Sequence, residues 1–297
     1  MTELSTVAVI GAGQMGRGIA QVCAQAGYDV IILDATHELA LRGRERIVDS
    51  LGRLVDKGKL EAAARDEAVG HLSVAEDYGA LEAADLAIEA ATEQVGLKLD
   101  IFRQADEALP PGALLASNTS SISLTKLAAA TRRPEQVVGI HFMNPVPVMR
   151  LVEIVRALQT SEATYRAALG LVERLGKTAV TARDMPGFIV NRLLLPLLNE
   201  ACFALQEDLG TLEDIDTAIK LGLNHPMGPF ELADLIGLDT VLFIGEVLHR
   251  DLGEDKYRPA ALLRNYVSAG WLGRKTGRGF YRYDEKGRKV GPATAAE

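Results

Sequence analysis

Cysteine is scarce: Cys23 and Cys202 are the only two, and each stands alone in an apolar helical pattern. That excludes a disulfide framework and a thiolate metal site, and it suits a reducing compartment. Also missing is an uninterrupted apolar run of about 20 residues, the length a bilayer core demands. The most apolar window, FIVNRLLLPLL, is broken by Asn191 and Arg192, so no membrane span is expected. The first residues, MTELSTVAVIGAG, enter a strand-like run at once and leave no charged segment followed by an apolar one to act as an export signal. A cytoplasmic protein is the expectation. Basic residues are the minority, 32 Lys and Arg against 40 Asp and Glu, for a formal net charge of -8. Nucleic acid is therefore not expected as a main partner, since phosphate-backbone binding needs a basic surface.

What the sequence does have is core material, 48% hydrophobic residues over 297 positions, enough for one large domain or two modest ones. Short β-rich runs alternate with helical patterns through the first half: TVAVIG, a helix from Gln14, DVIILD, a long amphipathic helix from His37, LAIEA, a helix over 96–109, ALLASN and VVGIHF. Such alternation predicts an α/β domain with a mostly parallel sheet and crossover helices. LVEIV then follows VVGIHF after only the short, Pro-punctuated NPVPVMR. That connection is too short for a parallel crossover, so these two strands should pair antiparallel. TAVTAR can add a further edge strand. Beyond DMPGF the β signal disappears, and helices are expected over 188–207, 212–221, 230–235, 239–249 and 260–269. A boundary near Asp184, where Met185, Pro186 and Gly187 punctuate the chain and Pro186 suits a first helical turn, divides a Rossmann-type domain at 1–184 from an all-helical domain at 185–297. There is no internal repeat, and no low-complexity tract beyond the short Ala-rich tail.

VAVIGAGQMGRGIA carries Gly11, Gly13 and Gly16 as G-x-G-x-x-G, with Gln14 and Met15 between them, at the passage from strand to helix. In such a motif the first glycine makes a tight turn, the second admits a pyrophosphate to the helix N-terminus, and the third lets the helix lie close on the sheet. A lone glycine pattern is also what a turn in any α/β fold can show. Asp34 supplies context, because it ends the second strand at the distance of the acid that accepts the adenosine ribose hydroxyls. Its charge would repel a 2′-phosphate, and the following ATHE offers no arginine, so NAD is favoured over NADP. FAD ranks lower because the chain is short for the larger flavoproteins.

His141 lies near the end of a predicted inner strand, where an imidazole is more often a hydrogen-bonded core group than a catalyst. The antiparallel pairing changes that reading: with the bend near Pro147, positions 141 and 153 fall opposite one another, and Glu153 can take the Nδ1–H of His141. That would fix the tautomer and leave Nε2 for a substrate proton. Without the pairing, Glu153 reads as a solvent-facing strand residue. The segment 42–59, RGRERIVDSLGRLVDKGK, has six basic residues against three acidic ones. It is either a solvated face or a surface that attracts phosphates.

VIGAGQMGRGIA, SNTSSISLTKLA, GIHFMNPVPVMRLVEIV, DMPGFIVNRLL, HPMGPFELADLIGLD and GRKTGRGFY occur in this order over essentially the whole chain. Together they resemble the short-chain L-3-hydroxyacyl-CoA dehydrogenases, most nearly the bacterial 3-hydroxybutyryl-CoA group. The resemblance implies NAD as cofactor, an acyl-CoA thioester as substrate and a homodimer formed through the C-terminal domain. It makes His141 the base, Glu153 its orienting partner, and Ser120 and Asn191 further members of the site. Ser120 would touch both cofactor and substrate. As bare residues, Ser120 reads as a helix cap for SLTKLA, and Asn191 as a polar break in an apolar helix, facing either a site or solvent. The resemblance also makes Glu93, Lys98, Asn144 and Lys275 cofactor contacts, although Glu93, Lys98 and Lys275 alone read as surface charges. Ser50 and Lys57 become coenzyme A contacts. Two rival functions remain: a related β-hydroxyacid dehydrogenase acting on a free acid, and a catalytically silent NAD-binding protein.

Overall fold

A computed structural model describes residues 4–293. The first three residues of the N-terminal segment and the end of the Ala-rich tail lie outside the described residues. The chain divides into two compact units, one ending at Phe188 and the other beginning at Ile189.

The first unit runs β1 (Thr6–Ile10), α1 (Gln14–Gln25), β2 (Asp29–Leu33), α2 (His37–Asp56), α3 (Ala62–Gly70), β3 (Leu72–Val74), β4 (Leu86–Glu89), α4 (Val95–Ala108), β5 (Leu114–Ser117), α5 (Leu124–Ala128), β6 (Val137–Phe142), β7 (Leu151–Arg156), α6 (Glu162–Arg174) and β8 (Thr178–Arg183). The strands form one sheet in the order β3-β2-β1-β4-β5-β6-β7-β8. The pairings are parallel except β6 with β7, so the last two strands run against the rest. β3, α3 and α6 were not anticipated, whereas α5 is the helix expected in SLTKLA. TAVTAR is an edge strand, as expected, and lies parallel to β7.

Alternation along the strands separates two cores. Val7, Val9, Leu86, Ile88, Leu114, Ala116, Val138, Ile140, Val152 and Ile154 share one hydrophobic cluster, while Ala8, Ile10, Ala87, Leu115, Val137 and Val155 join the other. The period of two therefore places Glu89, Ser117, His141 and Glu153 on the second face. The pairs Leu33–Ile10, Ile10–Glu89, Glu89–Ser117, Ser117–Gly139 and Gly139–Val155 form one continuous row across six strands. Everything that follows this row in the parallel strands stands at the carboxyl edge of the sheet, where ligand crevices form in doubly wound folds.

Asp184, the expected boundary, is held inside the first unit. Its carboxylate accepts the Ser123 hydroxyl and the N–H groups of Leu124 and Thr125 at the start of α5. Pro186 does not open a helix as expected: residues 185–188 form a turn, with Gly187 at φ 76° and Phe188 at φ 48°, and the next helix begins only at Val190.

The second unit contains α7 (Val190–Gln206), α8 (Leu212–Gly222), α9 (Pro229–Ile236), α10 (Leu238–Leu252) and α11 (Ala261–Ser268), close to the helices expected. It is helical, but the β signal returns once, as the antiparallel ribbon β9 (Tyr281–Tyr283) with β10 (Lys289–Pro292). Two buried aspartates fasten the chain here. Asp216 accepts from the N–H groups of Phe230 and Glu231, the orphan donors of the first turn of α9, and from the Tyr281 hydroxyl. Asp234 accepts from the N–H groups of Phe280 and Tyr281 and from the Tyr283 hydroxyl, docking the ribbon on α9. Among the described residues no helix is long and apolar enough to cross a membrane, and no cluster of His, Cys, Asp and Glu could hold a metal ion.

Burial pushes the Asp234 carboxyl up to about 6 against its three donors, and the charge of Asp216 adds to the rise. Between pH 4 and 6 the folded chain therefore keeps a proton that the unfolded chain has released. Its contribution is full below about pH 4 and is lost as pH rises through 6, by up to about 3 kcal/mol. Urea denaturation of the wild type and of Asp234→Asn at pH 4 to 7 should show the wild type losing stability relative to the variant as pH rises. A pH-independent difference would contradict this.

Candidate active site

The fingerprint is built as the glycines require. Gly11 sits at φ +106°, and a Cβ there would lie 2.8 Å from Ala90 O. A Cβ on Gly16 would meet Gly11 O at 1.7 Å, so only glycine lets α1 leave the loop at this angle. At Gly13 an added Cβ would meet nothing within 4 Å and would stand instead in the open space before the helix. Gly13 is also the N-cap of α1, and no side chain caps that helix. The first-turn N–H groups are thus left for an external anion. Asp34 follows β2 with one carboxylate oxygen on the Ala12 N–H at 2.5 Å and the other on its neighbour Ala35 at 2.6 Å, which aims it across the phosphate loop. These features fit a dinucleotide with its pyrophosphate at Gly13 and its ribose at Asp34.

His141 and Glu153 are direct partners in the β6–β7 register, and Nδ1 of His141 lies 2.7 Å from Oε2 of Glu153. The imidazole is buried and Glu153 is 0% exposed, so the solvent-facing alternative for Glu153 does not hold. Phe188 packs its ring edge-to-face with His141, with centroids 5.5 Å apart. It does so from a left-handed backbone, a strained state for a bulky residue and the kind found at functional sites. The loop after His141 returns to the fingerprint. Asn144, which precedes a cis proline, accepts from Gln14 Nε2 at 2.9 Å, and Val146 lies on α1 where a Cβ at Gly18 would be 2.7 Å from it. Lys177 donates to Val146 O and Met149 O, both at 2.7 Å, and so pins this loop.

Beside the pair, at the ends of β4 and β5, is a cluster in which Lys98 proves to be no surface charge. Its side chain is 1% exposed, and its ammonium reaches Glu89 at 2.6 Å, Glu93 at 3.2 Å and Ala91 O at 3.2 Å. Those acceptors occupy its three protons. Glu89 also takes the Ser117 hydroxyl and the Ala91 N–H. Glu93 receives the Thr119 hydroxyl, the Ser120 N–H and both the N–H and hydroxyl of Ser121. Burial alone would raise the Glu93 carboxyl, but the Lys98 ammonium and these donors outweigh it and hold it below the usual carboxylate range. Ser120 is not the cap of α5, a role taken by Ser123. Asn118 accepts the Phe142 N–H at 2.9 Å and ties the serine loop to the strand of His141.

The first unit thus brings together His141 with Glu153, Gln14 with Asn144, and Glu93 with Lys98 and the Ser120 backbone. Met15 lies in the first turn of α1, partly buried. Ser50, half-buried, and Lys57, exposed, belong to α2 and its C-cap. Asn191 and Lys275 belong to the second unit: Asn191 is half-buried near the start of α7, and Lys275 is exposed and bonded to both oxygens of Asp239 at 2.6 Å. Glu89, Ser117, Asn118, Thr119, Ser121, Lys177 and Phe188 were missed. Glu89 gave the same signal as Glu153, a carboxylate inside an apolar strand.

Residues 6–185 match the family model described as 3-hydroxyacyl-CoA dehydrogenase, NAD binding domain, and residues 187–283 match the model of its C-terminal domain. The sequence is 51% identical over 280 residues to the 3-hydroxybutyryl-CoA dehydrogenase of Bradyrhizobium diazoefficiens, covering 94% of this chain and 96% of that protein. It is 46% identical over 282 residues to the 3-hydroxybutyryl-CoA dehydrogenase of Mycobacterium tuberculosis, covering 94% and 99%. The crystal structure of (S)-3-hydroxybutyryl-CoA dehydrogenase from Ralstonia eutropha is similar at a TM-score of 0.92, with 48% identity, 95% of this chain and 100% of that one covered. Fingerprint, paired strands and matches over nearly the full length agree: the chain belongs to the 3-hydroxyacyl-CoA dehydrogenase family, with its NAD-binding domain followed by the family's C-terminal domain.

Proposed function

We propose that the chain catalyses the reversible, NAD-dependent oxidation of an (S)-3-hydroxyacyl-CoA to the 3-ketoacyl-CoA, with the 3-hydroxybutyryl thioester as substrate. The observation that carries the reading is the 2.7 Å contact between His141 Nδ1 and Glu153 Oε2. A carboxylate only accepts, so Nδ1 holds the proton in this pair and Nε2 keeps its lone pair. Nε2 of His141 removes the 3-hydroxyl proton, and Glu153 stabilises the imidazolium that results. NAD, when bound, supplies the acceptor for hydride leaving C3. Ser120 orients the substrate oxygen. Phe188 excludes water from one side of the imidazole.

The coenzyme A nucleotide is proposed to meet α2, where Arg46, Arg53, Lys57 and Lys59 are all exposed. Ser50 and Lys57 are seven positions apart on that helix and its cap, two turns along one face, which supports their joint use. Asn191 and Lys275 are carried over from the family as further substrate and cofactor contacts. A dimer formed through the second unit is supported by large apolar side chains left in the open: Leu193 is 71% exposed, and Leu209 and Leu221 are each 80% exposed. Removing such side chains from water favours association.

The decisive assay follows NADH consumption with acetoacetyl-CoA. His141→Gln should lower kcat by about two to four orders of magnitude, the range of general-base catalysis, while NAD still binds. Near-normal turnover would sink the assignment. Glu153→Gln should lower kcat strongly and change its pH profile, because a neutral amide cannot stabilise imidazolium, and an unchanged profile would count against the dyad. Light scattering at assay concentration should give twice the chain mass, and an active monomer would refute the dimer.

A further inference from the structure

The phosphate loop and the base stand on different strands, with two others between them. Gly11 follows β1 and His141 lies on β6, while β4 and β5 separate the two. Residues Ile10, Glu89, Ser117 and Gly139 are successive register partners across these four strands. His141 is two positions beyond Gly139, on the same face of the sheet as Glu89 and Ser117. A dinucleotide with its pyrophosphate at Gly13 and its reactive ring near His141 must therefore pass over the carboxyl ends of β4 and β5.

At those ends are two carboxylates and one ammonium. Glu89 is 0% exposed and Lys98 1% exposed, and they are 2.6 Å apart; Glu93, 3.2 Å from the same ammonium, is 23% exposed. Glu89 and Glu93 against Lys98 leave one net negative charge under the path of the ring. The remaining partners, the Ser117, Thr119, Ser120 and Ser121 hydroxyls and the N–H groups of Ala91, Ser120 and Ser121, are neutral dipoles. They fix the carboxylates in place but do not cancel the charge. The oxidised nicotinamide ring is a cation and the reduced ring is neutral, so a fixed charge here acts on one redox form and not on the other.

We propose that Glu89 is a specificity-determining residue: with Glu93 it outnumbers Lys98 and so shifts the ratio of affinities toward the oxidised, cationic nicotinamide nucleotide and away from the reduced, neutral one. The inference rests on the NAD-dependent reading above and assigns a role to a residue that does not touch the reacting atoms. A role in packing or loop order alone would alter the affinity of both redox forms together. A role through charge alters their ratio, and its sign follows the count of charges.

The test is calorimetric titration of the whole enzyme with NAD+ and NADH separately, reading the ratio of their Kd values. Glu89→Gln brings the cluster to zero net charge and should lower the preference for NAD+ about five- to tenfold, the effect of one unit charge in a partly desolvated site. Lys98→Met brings it to two negative charges and should raise the preference. Ser117→Ala removes a hydrogen bond to Glu89 without removing charge and should leave the ratio unchanged. Opposite shifts in the two charge variants support the proposal, and shifts of the same sign, or an unchanged ratio with both affinities weakened, overturn it. If Glu89→Gln does not fold, Lys98→Met alone decides by the sign of its shift. Failure of the wild type to bind either nucleotide would overturn the NAD-dependent reading itself, and this inference with it.

Discussion

The site depends on the register between β6 and β7. A strand alternates its faces with every residue, so a slip of one position would turn Glu153 into the core that holds Val152 and Ile154 and turn His141 away from it. Glu153 is buried, and a buried carboxylate without a hydrogen-bonded partner is strongly destabilising. The correct register supplies that partner in the imidazole. One contact therefore stabilises the pairing of the strands and leaves Nε2 as the imidazole nitrogen outside it. The loop between the strands is held as firmly: Lys177 fixes two of its carbonyls, Val146 fills the space left by Gly18, and Asn144 meets Gln14. The strand of His141 and the glycine loop are thereby tied to each other by short connections.

The same logic explains why buried polar groups concentrate at the carboxyl edge of one face. Each strand end there carries a group that needs a partner, and the neighbouring strand end provides it. Glu89 binds Ser117, Asn118 binds the backbone of Phe142, and His141 binds Glu153. Glu93 stands outside the sheet and gathers the donors of the loop that carries Ser120. Networks in which the members satisfy one another are rigid, and rigidity at the sheet edge is what the positioning of a ligand requires.

Much of this was legible in the sequence because it follows from period and spacing. The first two strands, the fingerprint and Asp34 could be read from local pattern, and the His141–Glu153 pair from the length of the link between two strands. Elements without such a signal were not. β3 is three residues long, too short for alternation to register, and β9 is no longer. The ribbon containing β9 is stabilised by Asp234, which lies 47 residues from Tyr281, a contact that no local window contains. Lys98 failed for the same reason: a lysine reads as exposed unless its partners are known, and one of them, Glu89, was itself passed over. Phe188 depends on a backbone conformation, which residue type does not announce. The boundary was legible because Met185, Pro186 and Gly187 are strong punctuation, and the two family domains meet there, while the bonds from Asp184 to the start of α5 keep the first residues of that turn with the sheet.

The glycines and the charges at the sheet edge also form a single arrangement when taken along the row from Leu33 to Val155. At β1 there is no side chain before the N-terminus of α1, and the field is that of unpaired N–H groups, positive toward a ligand. At β2 Asp34 presents a carboxylate, which suits hydroxyl donors. At β4 and β5 carboxylates outnumber the buried lysine, and the field is negative. A nicotinamide dinucleotide carries negative phosphates, a ribose that donates hydrogen bonds, and a ring that is positive before it accepts hydride. The order of polarity along the protein edge is the complement of that order along the nucleotide. Neutralising the ring by hydride transfer removes one of these attractions, so the same charge that favours entry of the oxidised nucleotide would favour departure of the reduced one.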